Sequence, residues 1–333
     1  MSDQRETRQA YRDHLVELMA ADPRVVCLDS DTGLFAGVDF GAARERYVNV
    51  GIAEQNLMGV AAGLAASGMV PYVNTMATFA TTRAAESIKI DIAYAALGVR
   101  IVATHAGLSA GHLGPTHHAL EDLSVIRAMP NMTVVVPGDS EATVSLLTQL
   151  ADRPGPAYVR LGRKATPPLP AGTPPAALGR LQTVRGGEPA RVTIVATGPL
   201  PTLRACHAAG ALEADGIPAL VLQAHTLKPF DVAGLLRYVS GAELVVTVEE
   251  HWRTGGLGSA IAEALAESEP RRILRIGVPD VFAPVVGTQE ELLDGAGLSV
   301  EGIVDRVRLA LRDWTSVRAV SASAWPGLVR KGD

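Results

Sequence analysis

Two groups of residues in this 333-residue chain could do chemistry. The first is Glu54, in the stretch YVNVGIAEQNLMGVAAG, where one carboxylate stands among small and apolar neighbours. A charge in such surroundings is costly unless it is paired, hydrogen-bonded or protonated. Glu54 could occupy the first turn of a helix, where a carboxylate gains from the macrodipole. It could equally be a buried acid, its pKa raised by apolar surroundings, that shares a proton with a ligand nitrogen. Local sequence leaves both readings open.

The second group is the loop THAGLSAGHLGPTHH, residues 104–118, with His105, His112, His117 and His118. It follows an expected strand and so belongs at the carboxyl edge of a parallel sheet, where ligands collect. Gly107, Gly111 and Gly114 permit tight backbone turns, and histidines exchange protons near neutral pH. A metal held by His117, His118 and Glu121 is conceivable, but HExxH-like spacing is missing. Histidines satisfied by backbone groups, or acting in proton transfer and oxyanion stabilisation, are the other readings. GGLGSA at 255–260 lacks the third glycine of a dinucleotide loop and reads as helix-start packing. Glu249-Glu250-His251 beside it reads as a solvated or interface cluster. Arg160 or Arg163 could clamp an anionic substrate, or could simply lie at the surface.

These groups need a scaffold, and the chain alternates strand-like and helix-like runs. VVCL is an expected strand; Ala53–Ser67 has apolar residues at helical spacing. MVPYVNT (strand), Ala84–Leu97 (helix), VRIVATH (strand), Leu120–Ala128 (helix), TVVV (strand), a helix from Asp139 or Ser140 and AYVRL (strand) follow. Beyond a proline-rich stretch the rhythm resumes with RVTIVATG, IPALVLQ, ELVVTVEE and RRILRIG as strands, closed by a helix near Val300–Leu311. Such alternation implies mostly parallel sheets with helices on both faces. The expected organisation is two α/β domains, over 1–165 and 191–315, joined by a linker at 166–190 and followed by a tail at 316–333. The formal net charge of −5 and scattered basic residues argue against nucleic-acid or anionic-membrane binding. Cys27 and Cys206 form no CxxC pattern and read as buried thiols in a reducing compartment. No signal peptide or membrane-length apolar run is evident, so a cytoplasmic location is expected.

Taken together, the chain resembles the transketolase family of thiamine diphosphate enzymes. The likeness is carried by NVGIAEQNLMGVAAGLAASG, TFATTRAAESIKIDIAY, THAGLSAGHLGPTHHALEDLSVIRAMPNMTVVVPGD, YVRLGR, VTIVATG, HTLKPFD and VEEHWRTGGLGSA. It runs from about Val25 to Arg308. The resemblance implies a pyrimidine-binding domain followed by a transketolase C-terminal-like domain. The family's GDG…N signature for diphosphate and Mg²⁺ does not occur, which implies the C-terminal half of a split enzyme. An N-terminal subunit would then hold the diphosphate and Mg²⁺, in an assembly with two copies of each chain (α2β2). By the same resemblance, Glu54 is the acid that hydrogen-bonds the pyrimidine ring and drives its imino form, which removes the thiazolium C2 proton. Phe79 matches the aromatic residue stacked on that ring. Asp31, Ile52 and Met76 complete the cofactor contacts, and no metal ligand is assigned to this chain. His105 and His117 match histidines facing the substrate carbonyl and hydroxyls, and Arg163 matches a phosphate-gripping arginine.

Departures bear on the substrate. His112 and Leu113 stand in the place of Glu and Asp in a GEDGPTH-like run, and the family's Asp reads a donor hydroxyl. Phe35 falls near a phosphate-binding serine, and Met76 and Thr82 replace aromatic residues. A transketolase with non-standard specificity, moving a two-carbon ketol unit from a ketose (phosphate) to an aldehyde, is therefore expected. The alternatives are a β subunit of a 2-oxo acid dehydrogenase E1, a pyruvate-using deoxyketose phosphate synthase and a non-catalytic assembly subunit.

Overall fold

Runs such as Val25–Asp29, Arg100–Thr104 and Val192–Thr197 are buried at every position. Strands without an outward polar face must lie in the middle of covered sheets. The computed structural model describes residues 5–314; the tail expected at 316–333 lies outside them. It contains two large sheets. The first runs Thr226–Lys228, Thr133–Val135, Ala157–Arg160, Arg100–Thr104, Val70–Met76, Val25–Asp29, Tyr47–Asn49. The second runs Ile273–Val278, Leu244–Trp252, Val192–Thr197, Ala219–Gln223, Gln182–Arg185. Pairings are parallel except at one edge of each sheet, where Thr226–Lys228 and Gln182–Arg185 run antiparallel.

Three details depart from the sequence reading. HTLKPFD belongs to the second half of the chain, yet its strand Thr226–Lys228 caps an edge of the first sheet. A covered edge cannot template foreign strands. The stretch expected as linker is partly ordered: Ala165–Thr166 pairs with Arg5–Glu6, and Gln182–Arg185 joins the second sheet. The helix expected through Ala84–Leu97 is a turn at Ala85–Ser87 that widens into a π-helix at Ile88–Tyr94. Such widening is rare and concentrates near functional sites.

One apolar core runs through both halves, including Val134 and Val136 of the first and Leu227, Leu257 and Ile261 of the second. A polar seam accompanies it: of the two alternatives for Glu249-Glu250-His251, solvated or interface cluster, the solvated one falls, because all three are buried. Glu249 accepts N–H bonds from Leu257 (2.6 Å) and Gly258 (2.8 Å), at the start of helix Leu257–Ser268. Those are two of the donors a helix leaves without partners. Burial pushes the Glu249 pKa up to about 7, against the pull of these two bonds. The GGLGSA glycines serve this packing, since a Cβ on Gly256 would collide with the Glu249 carboxylate.

Beside it, the buried Asp122 Oδ2 accepts from Arg160 Nε at 2.7 Å and from Tyr158 Oη at 2.9 Å. Arg160 Nη2 also donates to the carbonyls of Ala119 and Glu250. Arg160 is therefore committed to the seam and cannot clamp a substrate. Among the described residues, no helix is long and apolar enough to cross a membrane. Removing one partner of a buried ion pair strands the other charge, at about 3–5 kcal/mol. Arg160→Met should lower the unfolding free energy by about that amount in denaturant titration; a loss under about 1 kcal/mol would contradict this account.

Candidate active site

Helix Glu54–Ala66 turns Leu57, Met58, Ala61 and Ala62 to the core, and the same face carries Glu54 inward. Glu54 stands in the first turn of that helix and is 2% exposed. Its Oε2 accepts from Arg83 Nη1 at 2.6 Å. The Arg83 guanidinium also lies 4.5 Å from the Phe79 ring centroid, and its side chain is 46% exposed. Half-buried Phe79 in turn meets the His117 ring edge-on, with centroids 5.3 Å apart.

The histidine loop leaves the carboxyl end of strand Arg100–Thr104. His105 takes a left-handed conformation, φ 58°, which is uncommon outside glycine and marks local strain. Thr104 Oγ1 lies 3.0 Å from His105 Nδ1. Gly107 and Ala119 exchange backbone hydrogen bonds of 3.0 and 2.9 Å, closing the loop at its base. Burial, then the positive charges of Arg8 and Arg163 and the neighbouring His117, push the His105 pKa down to about 4. Neutral imidazole is therefore its working form.

Arg8 is the residue sequence reasoning missed. It sits in the polar helix Thr7–Ala21 and becomes part of the site only because Arg5–Glu6 pairs with Ala165–Thr166, next to Arg163. No local pattern marks it. Arg83 was missed for the same kind of reason: its partner is 29 positions away.

The remaining expected residues fall in different places. Met76 ends strand Val70–Met76 and is half-buried. Ile52 is 73% exposed beside the Glu54 helix. Asp31 is exposed, φ 61°, and accepts from Asn49 Nδ2 at 2.9 Å. The buried acid at the end of that strand is Asp29, which accepts from Asn74 (2.7 Å), Thr32 (3.0 Å) and Tyr47 (3.1 Å). His112 and Leu113 lie exposed at the loop rim, and Arg163 is half-buried. His112, Arg163 and Lys164 line a cavity of about 400 Å³ that reaches Gln289 on the second domain. Phe35 packs among Tyr11, Phe40 and Tyr47 and serves the core. His118 turns inward, with Nε2 3.1 Å from the Gly111 carbonyl. The Glu121 carboxylate folds back onto the Leu120 N–H at 2.9 Å. Among the described residues, no three such side chains are grouped to hold a metal ion. The donor set does fit the pyrimidine half of thiamine diphosphate: a carboxyl kept from water beside an aromatic ring.

The transketolase pyrimidine-binding domain model matches residues 3–168, and the transketolase C-terminal domain model matches residues 179–303. The 6-deoxy-6-sulfo-D-fructose transketolase subunit SqwH of Clostridium sp. is 38% identical, across 89% of this chain and 92% of that protein. An apulose-4-phosphate transketolase subunit of Phocaeicola vulgatus is 37% identical, across 89% and 94%. Among solved structures, a split-gene transketolase in an inactive β4 tetramer superposes with a TM-score of 0.81 and 42% identity, across 92% of this chain and 98% of that one. The chain therefore belongs to the transketolase family and carries its pyrimidine-binding and C-terminal domains.

Proposed function

We propose that this chain is the C-terminal subunit of a split transketolase-like enzyme that transfers a two-carbon ketol unit from a phosphorylated ketose to an aldehyde. The observation that carries this reading is one continuous run of contacts. Glu54 touches Arg83, Arg83 covers Phe79, and Phe79 meets His117. His117, Arg8 and Arg163 then lie close enough to bias His105. The run begins with a group suited to a heterocycle and ends at His117, and the charges of Arg8 and Arg163 that reach His105 suit a phosphate.

When bound, thiamine diphosphate supplies a centre that stabilises carbanions. Glu54, with Oε2 engaged by Arg83, keeps Oε1 for a hydrogen bond with the pyrimidine ring, in a position that excludes competing water. Phe79 offers its face to that ring. His105, uncharged near pH 7, donates or accepts at the substrate carbonyl without placing a formal charge there. His117 serves the adjacent hydroxyls, and Arg8 and Arg163 orient the anionic end. A partner chain holding diphosphate and Mg²⁺, in an α2β2 assembly, belongs to this proposal. It is supported by the relatives of matching length that are themselves subunits, and by exposed Ile52, just before the Glu54 helix, and exposed Ile90 and Tyr94 on the π-helix. A cytoplasmic location goes with the same reading.

Leu113, 44% exposed where the family's motif has Asp, favours a donor whose hydroxyl needs no carboxylate. The second reading is a pyruvate-using synthase. It is supported by 37% identity to the 1-deoxy-D-xylulose-5-phosphate synthase of Thioalkalivibrio sulfidiphilus, across 92% of this chain and 47% of that protein. Assaying the chain reconstituted with its partner, thiamine diphosphate and Mg²⁺, on ketose phosphates against pyruvate separates the two.

Glu54→Ala in that complex should lower kcat by about 10²–10⁴-fold, in the range of a lost acid–base group; retained turnover would remove Glu54 from the chemistry. Arg8→Met and Arg163→Met should each raise KM for a phosphorylated donor. Each should also raise the His105 pKa, because a positive neighbour that resists protonation is gone; NMR titration of the ring checks the sign. Leu113→Asp should shift preference toward ordinary ketose phosphates, and unchanged relative kcat/KM among donors would count against the hydroxyl argument.

A further inference from the structure

A buried carboxylate of the second domain holds the base of the histidine loop. Glu250 lies at the end of strand Leu244–Trp252 and is buried. Its Oε1 accepts the Leu108 N–H at 2.6 Å. Gln289 Nε2 donates to both of its oxygens, at 3.0 and 2.8 Å. Gly107 packs directly on the carboxylate: its φ of 63° disfavours a side chain, and a Cβ there would collide with Glu250. The backbone beside this clasp is tied as well. Arg160 Nη2 holds the carbonyls of Ala119 and Glu250 together, and Trp252 N–H donates to Leu120 O at 3.0 Å.

Leu108 lies one residue inside the loop's base, which Gly107 and Ala119 close. His105 stands two residues before that base, and His117 two residues before its other side. The hydrogen bond that the Leu108 N–H donates to Glu250 at this base therefore sets both histidines at once. Farther out, Gly111 runs against the Gly287 carbonyl, where a Cβ would approach to 2.8 Å, so the segment carrying Gln289 also supports the loop's outer turn.

We propose that Glu250, braced by Gln289, is a positioning residue for His105 and His117, so that the C-terminal domain takes part in the chemistry by holding the histidine loop. Glu250 does not itself reach the reacting atoms. Its carboxylate replaces the water that a free Leu108 N–H would need, and a fixed acceptor keeps the loop in one register. Misplacing a catalytic group by about 1 Å can cost about 10²-fold in rate.

The test uses the full chain, with Glu250→Ala, Glu250→Gln and Gln289→Leu. In the unsubstituted chain the His105 ring should not titrate between about pH 5.5 and 8, given its pKa of about 4. His225, buried away from the loop and also held at about 4, is the internal reference. Glu250→Ala and Gln289→Leu should bring a His105 titration into that window while His225 stays silent. Glu250→Gln, which keeps an acceptor for Leu108, should restore the silent behaviour. A silent His105 in both disrupting variants, or His225 titrating together with it, would overturn the proposal. Gln289→Leu decides the matter if Glu250→Ala does not fold. This arm needs no turnover. A kinetic arm, which rests on the transfer reaction proposed above, should show kcat falling about 10- to 100-fold with thiamine diphosphate affinity within about twofold. Equal loss of cofactor affinity would mark Glu250 as merely structural. Loss of the titration change alone counts against the clasp; absence of ketol transfer in the unsubstituted complex counts only against the proposed function.

Discussion

Keeping a carboxylate out of water without leaving it unpaired is the constraint on which this structure turns. Glu54 meets it with Arg83, whose guanidinium reaches in from a half-exposed position and rests on Phe79. The arrangement costs the protein a desolvated charge, and the ion pair and helix start offset that cost. The arginine keeps nearly half of its side chain in solvent. A buried acid whose countercharge stands at the rim is held ready without being locked to the core.

The same constraint recurs along the seam between the domains. Asp122, Glu249 and Glu250 are buried, and each finds different donors: a guanidinium and a phenol, two helix-start amides, a loop amide and a glutamine. Apolar packing alone would hold the sheets together but would tolerate sliding. Buried hydrogen bonds tolerate much less, because any shift strands the groups that make them. The seam therefore registers the two sheets, and the edge strand Thr226–Lys228 adds backbone bonds to the same end. The histidine loop grows from that registered region, which explains how so long a loop can hold a strained His105.

Much of the scaffold was legible in the chain. Alternating runs of buried strand and amphipathic helix announced parallel sheets. Less legible was anything set by partners far apart. Gln182–Arg185 looked like linker because its neighbours are proline-rich, yet the sheet edge supplied bonds the local pattern could not advertise. The π-helix at Ile88–Tyr94 was invisible, since one extra residue per turn barely changes the periodicity over seven residues. Glu249-Glu250-His251 left a choice between solvated and interface cluster, because charge is usually solvated; their burial depends on amides and an arginine supplied by other elements.

The amino-acid sequence by itself determined the fold class, which follows from local periodicity. Its ordered motifs resemble those of one family, and the expected roles of Glu54, Phe79, His105, His117 and Arg163 come from that resemblance. Only the tertiary structure decided which charges meet. It gave Glu54 to Arg83, spent Arg160 on Asp122, brought the charge of Arg8 within reach of His105 and set Glu250 under the loop. Pairing of that kind depends on distances across 29 to 142 positions of chain, which no local pattern encodes.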